Sequence, residues 1–554
     1  MLYTQVFEKT AGAKLLLRDF EMRLNDNEKL GFIGRNGTGK TTLFRILSGL
    51  DHDYSGTLDL PKNQVLMATL QEHSGIDGIT TLGYICSRLP RYAELDKIIN
   101  EYPETMGENR HMQTVFADAL NEFSDLGYYE IDNSVRTLCG AYQLDEALMD
   151  REFSTLSGGQ KRLIDLIAIQ IGKPSIALLD EPTNHMDYVA KEVFIEWLKT
   201  IDCSVIVISH DRDVLKVVNR VVELRDYKAN SYPGNYDDYL VQNAAKTIGA
   251  IQGFETTEKR IENIKEQIRY CKVKAKSKAG GNTGRSGKNP WVVLQERLEK
   301  ELAEILNTHE KPTFWIDRES ANALAPKVTE KYEKYKAKNI KLKDVESDTT
   351  GILLNVEQLS LGYDGKPLFA DINFQLRPED KLHIIGRNGA GKTTLVRAVM
   401  DVVKGHKPDT LIGKGIITPS RELRVSLYEQ EISGELMDLT LFEAIEHIFD
   451  EKGVPINDQA IRQTMSSYLF EPSSDSNIKV CDLSGGQKAR LQLIRMLSGN
   501  PNLLILDEPT NHLDLPSIEE LETALLRYQG AVMYISHDSY FAKNIGGSPL
   551  VIGN

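Results

Sequence analysis

The 554-residue chain holds no apolar run near the roughly 18 to 20 residues that a helix needs to cross a bilayer. Its opening, MLYTQVFEKT, lacks an apolar signal core. Membrane insertion and secretion are therefore not expected, and a cytoplasmic location is. Cysteine is scarce. The five cysteines, at positions 86, 139, 203, 271 and 481, show neither CxxC spacing nor an even count, which argues against a disulfide framework or a cysteine-bound metal and fits scattered thiols in a reducing compartment. An excess of positive charge is missing too. A formal net charge of -14 would repel a polyanionic partner if it were spread evenly over the surface. What is present is ordinary for a folded protein: 41% hydrophobic and 26% charged residues, which excludes disordered and fibrous classes. The length exceeds what one core organises and suits two domains.

One stretch reverses the average charge. Between Lys259 and Lys288 ten Lys or Arg stand against two acids, Glu262 and Glu266.

The chain also repeats itself. GRNGTGKTT at 34–42 is answered by GRNGAGKTT at 386–394, and LSGGQK at 156–161 by the same six residues at 483–488. LLDEPTNHMD at 178–187 pairs with LILDEPTNHLD at 504–514, and ISHD at 208–211 with ISHD at 535–538. Identical order at comparable spacing indicates a duplicated domain, about 1–240 and 351–554 with 241–350 between, and not a solenoid with its much shorter period. Apolar runs such as KLGFIG, IALLD and VIVIS precede the motifs and read as buried parallel strands, while TTLFRIL and TTLVRAVM have helical patterning. Each half therefore reads as an α/β domain that binds its ligand at the strand C-terminal ends. The first half is about 32 residues longer between its motifs, near 88–129, where helical patterning with acidic residues predicts an added helical element, either a structural elaboration or a partner-contacting arm.

GxxxxGK[ST] is a phosphate-binding loop: backbone N–H groups curl around phosphates, the lysine neutralises β and γ oxygens, and the hydroxyl ligates Mg²⁺. Gly34, Asn36, Gly37, Gly39, Lys40, Thr41 and Thr42 fill the first loop, and Gly386, Asn388, Gly389, Gly391, Lys392, Thr393 and Thr394 the second. Asp180 and Asp507 end apolar strands and join Thr41 and Thr393 as candidate Mg²⁺ residues. The adjacent Glu181 and Glu508 are placed to polarise the attacking water.

LSGGQ together with DEPTNH separates this chain from other P-loop classes, and both halves resemble the ABC ATPase superfamily. The resemblance implies an intramolecular head-to-tail sandwich in one monomer, holding two Mg-ATP. Site one would join Lys40, Gln71, Glu181 and His210 to Ser484, Gly485 and Gly486; site two would join Lys392, Gln430, Glu508 and His537 to Ser157, Gly158 and Gly159. A Ser and two glycines opening a helix offer N–H groups and a positive dipole end to the γ-phosphate. The resemblance makes His210 and His537 switch histidines, and Tyr363 the ring that stacks on adenine. The first half departs here: alignment places Ala11 opposite Tyr363, leaving Phe7 or Tyr3 as substitutes.

In the middle segment Ile261, Ile264, Ile268 and Cys271 recur at helical spacing, as do Leu294, Leu298, Leu302 and Ile305. They flank KVKAKSKAGGNTGRSGKNP, which predicts an antiparallel helical hairpin with a basic tip at 272–290; a solvated flexible linker is the alternative. Two ABC domains in one chain, NHMD and NHLD after DEPT, YPGNYDDYL at 232–240 and this linker are similar to the ABC-F family. That likeness covers essentially the whole chain. It implies a ribosome-associated factor that binds near the tRNA exit site, its linker directed toward the peptidyl-transferase centre, with hydrolysis driving release. Lys272, Lys274, Lys276, Lys278, Arg285 and Lys288 would then meet rRNA and the P-site tRNA. LDLPSIEELE at 513–522 and the long linker resemble members that protect ribosomes from antibiotics. General relief of stalled ribosomes, a transporter ATPase subunit and a DNA-associated ATPase remain the alternatives.

Overall fold

The computed structural model describes residues 2–553 except 12–13, 62–63, 71–75, 106, 108, 185, 226, 278–289, 309–350, 364–365, 411, 413–414, 429–431, 433, 469, 484 and 512. These residues fall into two compact units. One holds both motif-bearing halves, through Tyr236 and again from Gly351; the other is the helical middle, from Asp237.

In the first half β1 (Leu2–Ala11) pairs antiparallel with β2 (Lys14–Leu24). The chain continues through β3 (Lys29–Gly34), β4 (Ser55–Asp59), β5 (Leu66–Ala68), β6 (Ile176–Asp180), β7 (Ser204–Ile208), β8 (Arg220–Arg225) and β9 (Lys228–Pro233). β4 joins β1 to make a three-stranded sheet, and the others form a six-stranded sheet of order β5-β6-β7-β3-β8-β9, parallel except for β9 at its edge. In the second half β10 (Leu354–Tyr363), β11 (Lys366–Leu376) and β13 (Ile416–Pro419) repeat the antiparallel sheet. There β12 (Lys381–Ile385), β14 (Val425–Tyr428), β15 (Leu503–Asp507), β16 (Ala531–Ile535) and β17 (Ser548–Val551) form a parallel sheet of order β14-β15-β16-β12-β17.

The apolar runs explain these sheets. Every residue of β6, β7 and β16 is buried, as a strand covered on both faces requires. In the first half Leu17, Phe20, Phe32, Leu43, Ile46, Leu178 and Ile206 share one core, joining the antiparallel sheet, the helix Lys40–Leu47 and the parallel sheet. Leu354, Leu361, Phe369, Leu395, Val399, Ile505 and Met533 do the same in the second half. This layer holds each phosphate loop rigidly between a strand end and a helix start. Gly39 and Gly391 open those helices at φ 101° and 98°, a region that favours glycine, and a Cβ on Gly39 would approach Leu16 Cβ at 3.2 Å.

The extra segment near 88–129 forms helices Tyr92–Thr105 and Arg110–Asp125. Their base is an aromatic knot: Tyr92, Phe123 and Tyr128 meet at centroid distances of 5.4 to 5.6 Å, and the Tyr128 hydroxyl donates to Pro90 O at 2.7 Å. Next to it the signature-bearing helix Gly158–Gly172 buries Asp165, 1% exposed, which accepts from Tyr84 Oη at 2.5 Å and from Leu70 N–H at 3.1 Å. Tyr84→Phe removes one of these donors from a buried carboxylate. A loss of about 1–3 kcal/mol of folding stability is expected, read from the urea midpoint at unchanged slope.

In the second unit the helices Tyr236–Ser277 and Pro290–Thr308 pair through Ile264, Ile268, Cys271 and Leu298, with Trp291, Leu302 and Ile305 against them. Arg260 reaches Glu301 at 2.6 Å, and Tyr270 meets Trp291 edge-on at 5.8 Å, so the two run antiparallel. One expected seam residue is displaced: Leu294 is 40% exposed, and Trp291 takes its place. At about 100° per residue two successive four-residue steps turn Leu294 some 80° away from Leu302, too far for one narrow seam. Lys272 pairs with Glu299 at 3.1 Å, and the Lys274 amine lies 5.5 Å from the Tyr270 ring centroid. The side chain of Lys276 and residues Lys278, Arg285 and Lys288 lie outside the described residues.

Candidate nucleotide sites

The phosphate-loop lysines are buried, Lys40 at 7% and Lys392 at 8% exposure. Lys40 Nζ donates to Gly34 O at 2.5 Å and Arg35 O at 3.1 Å; Lys392 Nζ donates to Gly386 O at 2.8 Å and Arg387 O at 3.1 Å. Burial lowers the pKa of both amines, against the pull of Glu181 on the first and Glu508 on the second. Thr393 Oγ1 donates to Asp507 Oδ2 at 3.1 Å, so a hydroxyl and a carboxylate converge beside Lys392. Two hard oxygen donors next to a phosphate loop fit Mg²⁺. Thr41 and Asp180 line one cavity beside Lys40.

Glu181 and Glu508 sit at φ 45° and 48°, left-handed backbone that a glutamate rarely adopts and that clusters at functional sites. Strand pairing imposes it: their N–H groups donate to the last carbonyls of β7 and β16, Ile208 O at 2.8 Å and Ile535 O at 3.0 Å. The turn brings each carboxylate to the histidine after the neighbouring strand. His210 N–H donates to Glu181 Oε2 at 3.3 Å with Nε2 3.5 Å from Oε1; in the second half both the His537 N–H···Glu508 Oε2 and the Nε2–Oε1 separations are 3.3 Å. Burial pushes Glu181 up to about 8 and Glu508 up to about 7, and pushes both histidines down to about 3. A carboxyl group titrating near neutrality beside a neutral imidazole suits proton transfer from water.

The halves meet head to tail. Asn36 N–H in the first loop donates to Asp514 Oδ2 at 2.9 Å, and Asn388 N–H in the second donates to Asp187 Oδ2 at 3.1 Å. Each Asp also caps a helix of its own half, accepting from Ala190 N or Ser517 N, and thereby fixes its carboxylate toward the opposite loop. A cavity of about 990 Å³ is lined by Lys392, Thr393, Asp507, Glu508 and His537 of the second half and Ser157, Gly158 and Gly159 of the first. Ser157 and Gln160 form a capping box that shapes this helix start. A second cavity, about 390 Å³, joins Lys40, Thr41, Asp180, Glu181 and His210 to Thr510 and Leu513 of the second half.

Gln71, Gln430 and Ser484 lie outside the described residues, and Gly485 and Gly486 are described only as the first turn of the helix Gly485–Leu497. Tyr363 lines the larger cavity. Neither suggested substitute in the first half lines the smaller cavity: Tyr3 carries Arg23 over its ring at 5.3 Å, and Phe7 is half-exposed within β1. Among the described residues no Phe, Tyr or Trp does; Leu16 is there instead. Sequence reasoning passed over Asp187 and Asp514 as the last letters of a motif. Their signal was a repeated Asp just before a helix, an N-cap pattern.

The ABC transporter family model matches residues 17–184 and 369–511, and a second ABC transporter model, for an extension, matches 222–286. The chain belongs to the ABC transporter family. Its relatives place it in the F branch: it is 28% identical to ABC transporter F family member 5 of Arabidopsis thaliana, over 96% of this chain and 72% of that protein. It is 29% identical to the putative ATP-binding protein YdiF of Bacillus subtilis, over 98% and 79%, and 27% identical to the energy-dependent translational throttle protein EttA of Mycobacterium tuberculosis, over 96% and 88%. An archaeal ribosome recycling factor, aABCE1, solved with the stalk protein aP1, shares the fold at 14% identity and TM-score 0.57, over 99% of this chain and 87% of that one. The ABC-F chain is thus an ATPase with two nucleotide-binding domains. No helix among the described residues is long and apolar enough to cross a membrane.

Proposed function

We propose that this ABC-F ATPase is a ribosome-associated translation factor of the cytoplasm. Two Mg-ATP bind between the halves, one in each cavity. Lys40 and Lys392 neutralise phosphate oxygens, Thr41 with Asp180 and Thr393 with Asp507 hold Mg²⁺, and Glu181 and Glu508 activate water while His210 and His537 face the γ-phosphate. Gln71 and Gln430 join the nucleotide-binding residues of their sites, and the signatures Ser157–Gly159 and Ser484–Gly486 close on the opposite nucleotide. Tyr363 stacks on adenine in the larger site.

The observation that carries the reading is one chain holding two head-to-tail cavities together with a helical hairpin that leads into a basic run. ATP closure stabilises one conformation, binding to the ribosome follows from it, and hydrolysis releases it. The basic run, Lys272 through Lys288, meets rRNA and the P-site tRNA near the exit site, where phosphate charge sets affinity and A-form shape sets placement. The relative named as a translational throttle supports this class. Within it we assign protection of the ribosome from antibiotics, with relief of stalled ribosomes as the competing role.

The test is co-sedimentation of the Glu181→Gln, Glu508→Gln double variant with ribosomes. It is expected to pellet with them in ATP and to remain in the supernatant without nucleotide. If it does pellet, competition with bound antibiotics separates protection from stall relief; recovery in the supernatant under both conditions removes the ribosome from the reading.

A further inference from the structure

The helix Gly158–Gly172 reaches both cavities. Gly158 and Gly159, in its first turn, line the larger one; Arg162 and Leu166, one turn on, line the smaller one beside Leu70, Asp180 and Glu181. Arg162 and Leu166 line the same cavity because residues four apart share a helix face, while the helix start extends beyond it to the larger one. Asp165 secures that face by accepting the Leu70 N–H at 3.1 Å, so the backbone carrying Arg162 is held against the ends of β5 and β6.

Arg162 has no role in the site as derived so far. Its Nη1 is withdrawn from solvent and has no hydrogen-bond partner among the described residues. A guanidinium N–H removed from water is costly unless an acceptor meets it, and a guanidinium has five donors and no way to shed its charge. The cavity it lines offers the place for an acceptor. Asp180, Glu181 and Thr41 mark the metal and terminal-phosphate end, and Leu16 lies at the loop glycine Gly39. The aligned position of the second half differs, since matching Ser157 with Ser484 puts Ala489 opposite Arg162.

We propose that Arg162 is a phosphate-binding residue of the smaller site, donating its Nη1–H to the terminal phosphate of the bound nucleoside triphosphate. The inference rests on reading that cavity as an ATP site. Arginine suits the task because its fork matches phosphate geometry and its charge-assisted bonds are among the stronger ones. The two sites then differ in kind: the smaller draws a cation from the signature helix of its own half and distinguishes triphosphate from diphosphate more sharply.

The experiment uses the full chain with Lys392→Ala, so that the smaller site dominates equilibrium binding of fluorescent ATP and ADP analogues. Arg162→Ala is expected to weaken the ATP analogue about ten-fold or more, as loss of a hydrogen bond to a charged group should, with the ADP analogue unchanged. Arg162→Lys should restore part of the ATP affinity. Arg162→Gln keeps the bulk and two N–H donors, and serves if the Ala variant folds poorly. Equal loss for ATP and ADP, or no loss for either, overturns the proposal. Lys40→Ala in the same background should abolish binding of both analogues; if both still bind, the cavity reading itself fails and the Arg162 inference falls with it.

Discussion

Replacing Glu181 and Glu508 together by glutamine is expected to slow ATP turnover by about 10²- to 10⁴-fold while ATP remains bound, the range typical for loss of a positioned general base. Glutamine keeps the length and one acceptor oxygen of the side chain, so the His210 and His537 backbone N–H bonds near 3.3 Å and the left-handed turns that set them survive. Proton acceptance is what disappears. Burial has raised both carboxyl groups to about 8 and about 7, where the ionised and protonated forms are both accessible near neutral pH, which no amide reproduces. Steady-state phosphate release together with the nucleotide content of the isolated protein checks this. Turnover above a tenth of the parent rate would show that these glutamates do not carry the step.

The second large effect lies away from the nucleotides. Arg212, two residues after His210, is 5% exposed and reaches across to the second half, with Nη1 3.2 Å from Glu522 Oε1 and Nη2 3.6 Å from Glu519. Glu522 is 1% exposed and also accepts from Asn544 Nδ2 at 2.8 Å. Glu522→Ala leaves a buried guanidinium without its nearest counter-charge, a change that costs about 3–5 kcal/mol in comparable buried pairs. The urea midpoint should fall accordingly. Glu522→Gln, which keeps the bond from Asn544, should lose less. Equal stability of the Ala variant and the parent chain would mean that solvent reaches Arg212 and that the pair does not hold the halves together. The two sides of this contact differ chemically: where Arg212 meets Glu522, the related position is Ser539, whose hydroxyl donates to Asp213 Oδ2 at 2.7 Å. Lys191 sits 2.9 Å from Asp211 and 2.7 Å from Asp213 on that side.

The contrast between the loops and this interface shows where reading a sequence stops. Lys40, Thr41, Asp180 and Glu181, with their partners in the second half, were legible because each motif is local. A few consecutive residues dictate a strand end, a left-handed turn or a helix start, and duplication removed the ambiguity of a single match. The hairpin stripe was legible for the same reason, through helical periodicity. Its error at Leu294 came from drift of that period, which packing against the facing helix resolves in favour of Trp291.

The order and chemistry of the motifs by themselves determined the α/β class, the duplication and the residues proposed to surround phosphate and metal. Tertiary structure alone decided which groups from opposite halves meet: Asp514 on the Asn36 loop, Asp187 on the Asn388 loop, and Glu522 beneath Arg212. It also placed no Phe, Tyr or Trp among the described residues of the smaller cavity and brought Arg162 to its side. The reason is physical. A local motif is specified by backbone geometry over a few residues, whereas a contact spanning 300 or more positions, such as the 310 between Arg212 and Glu522, depends on how whole layers pack, and no short-range pattern encodes that.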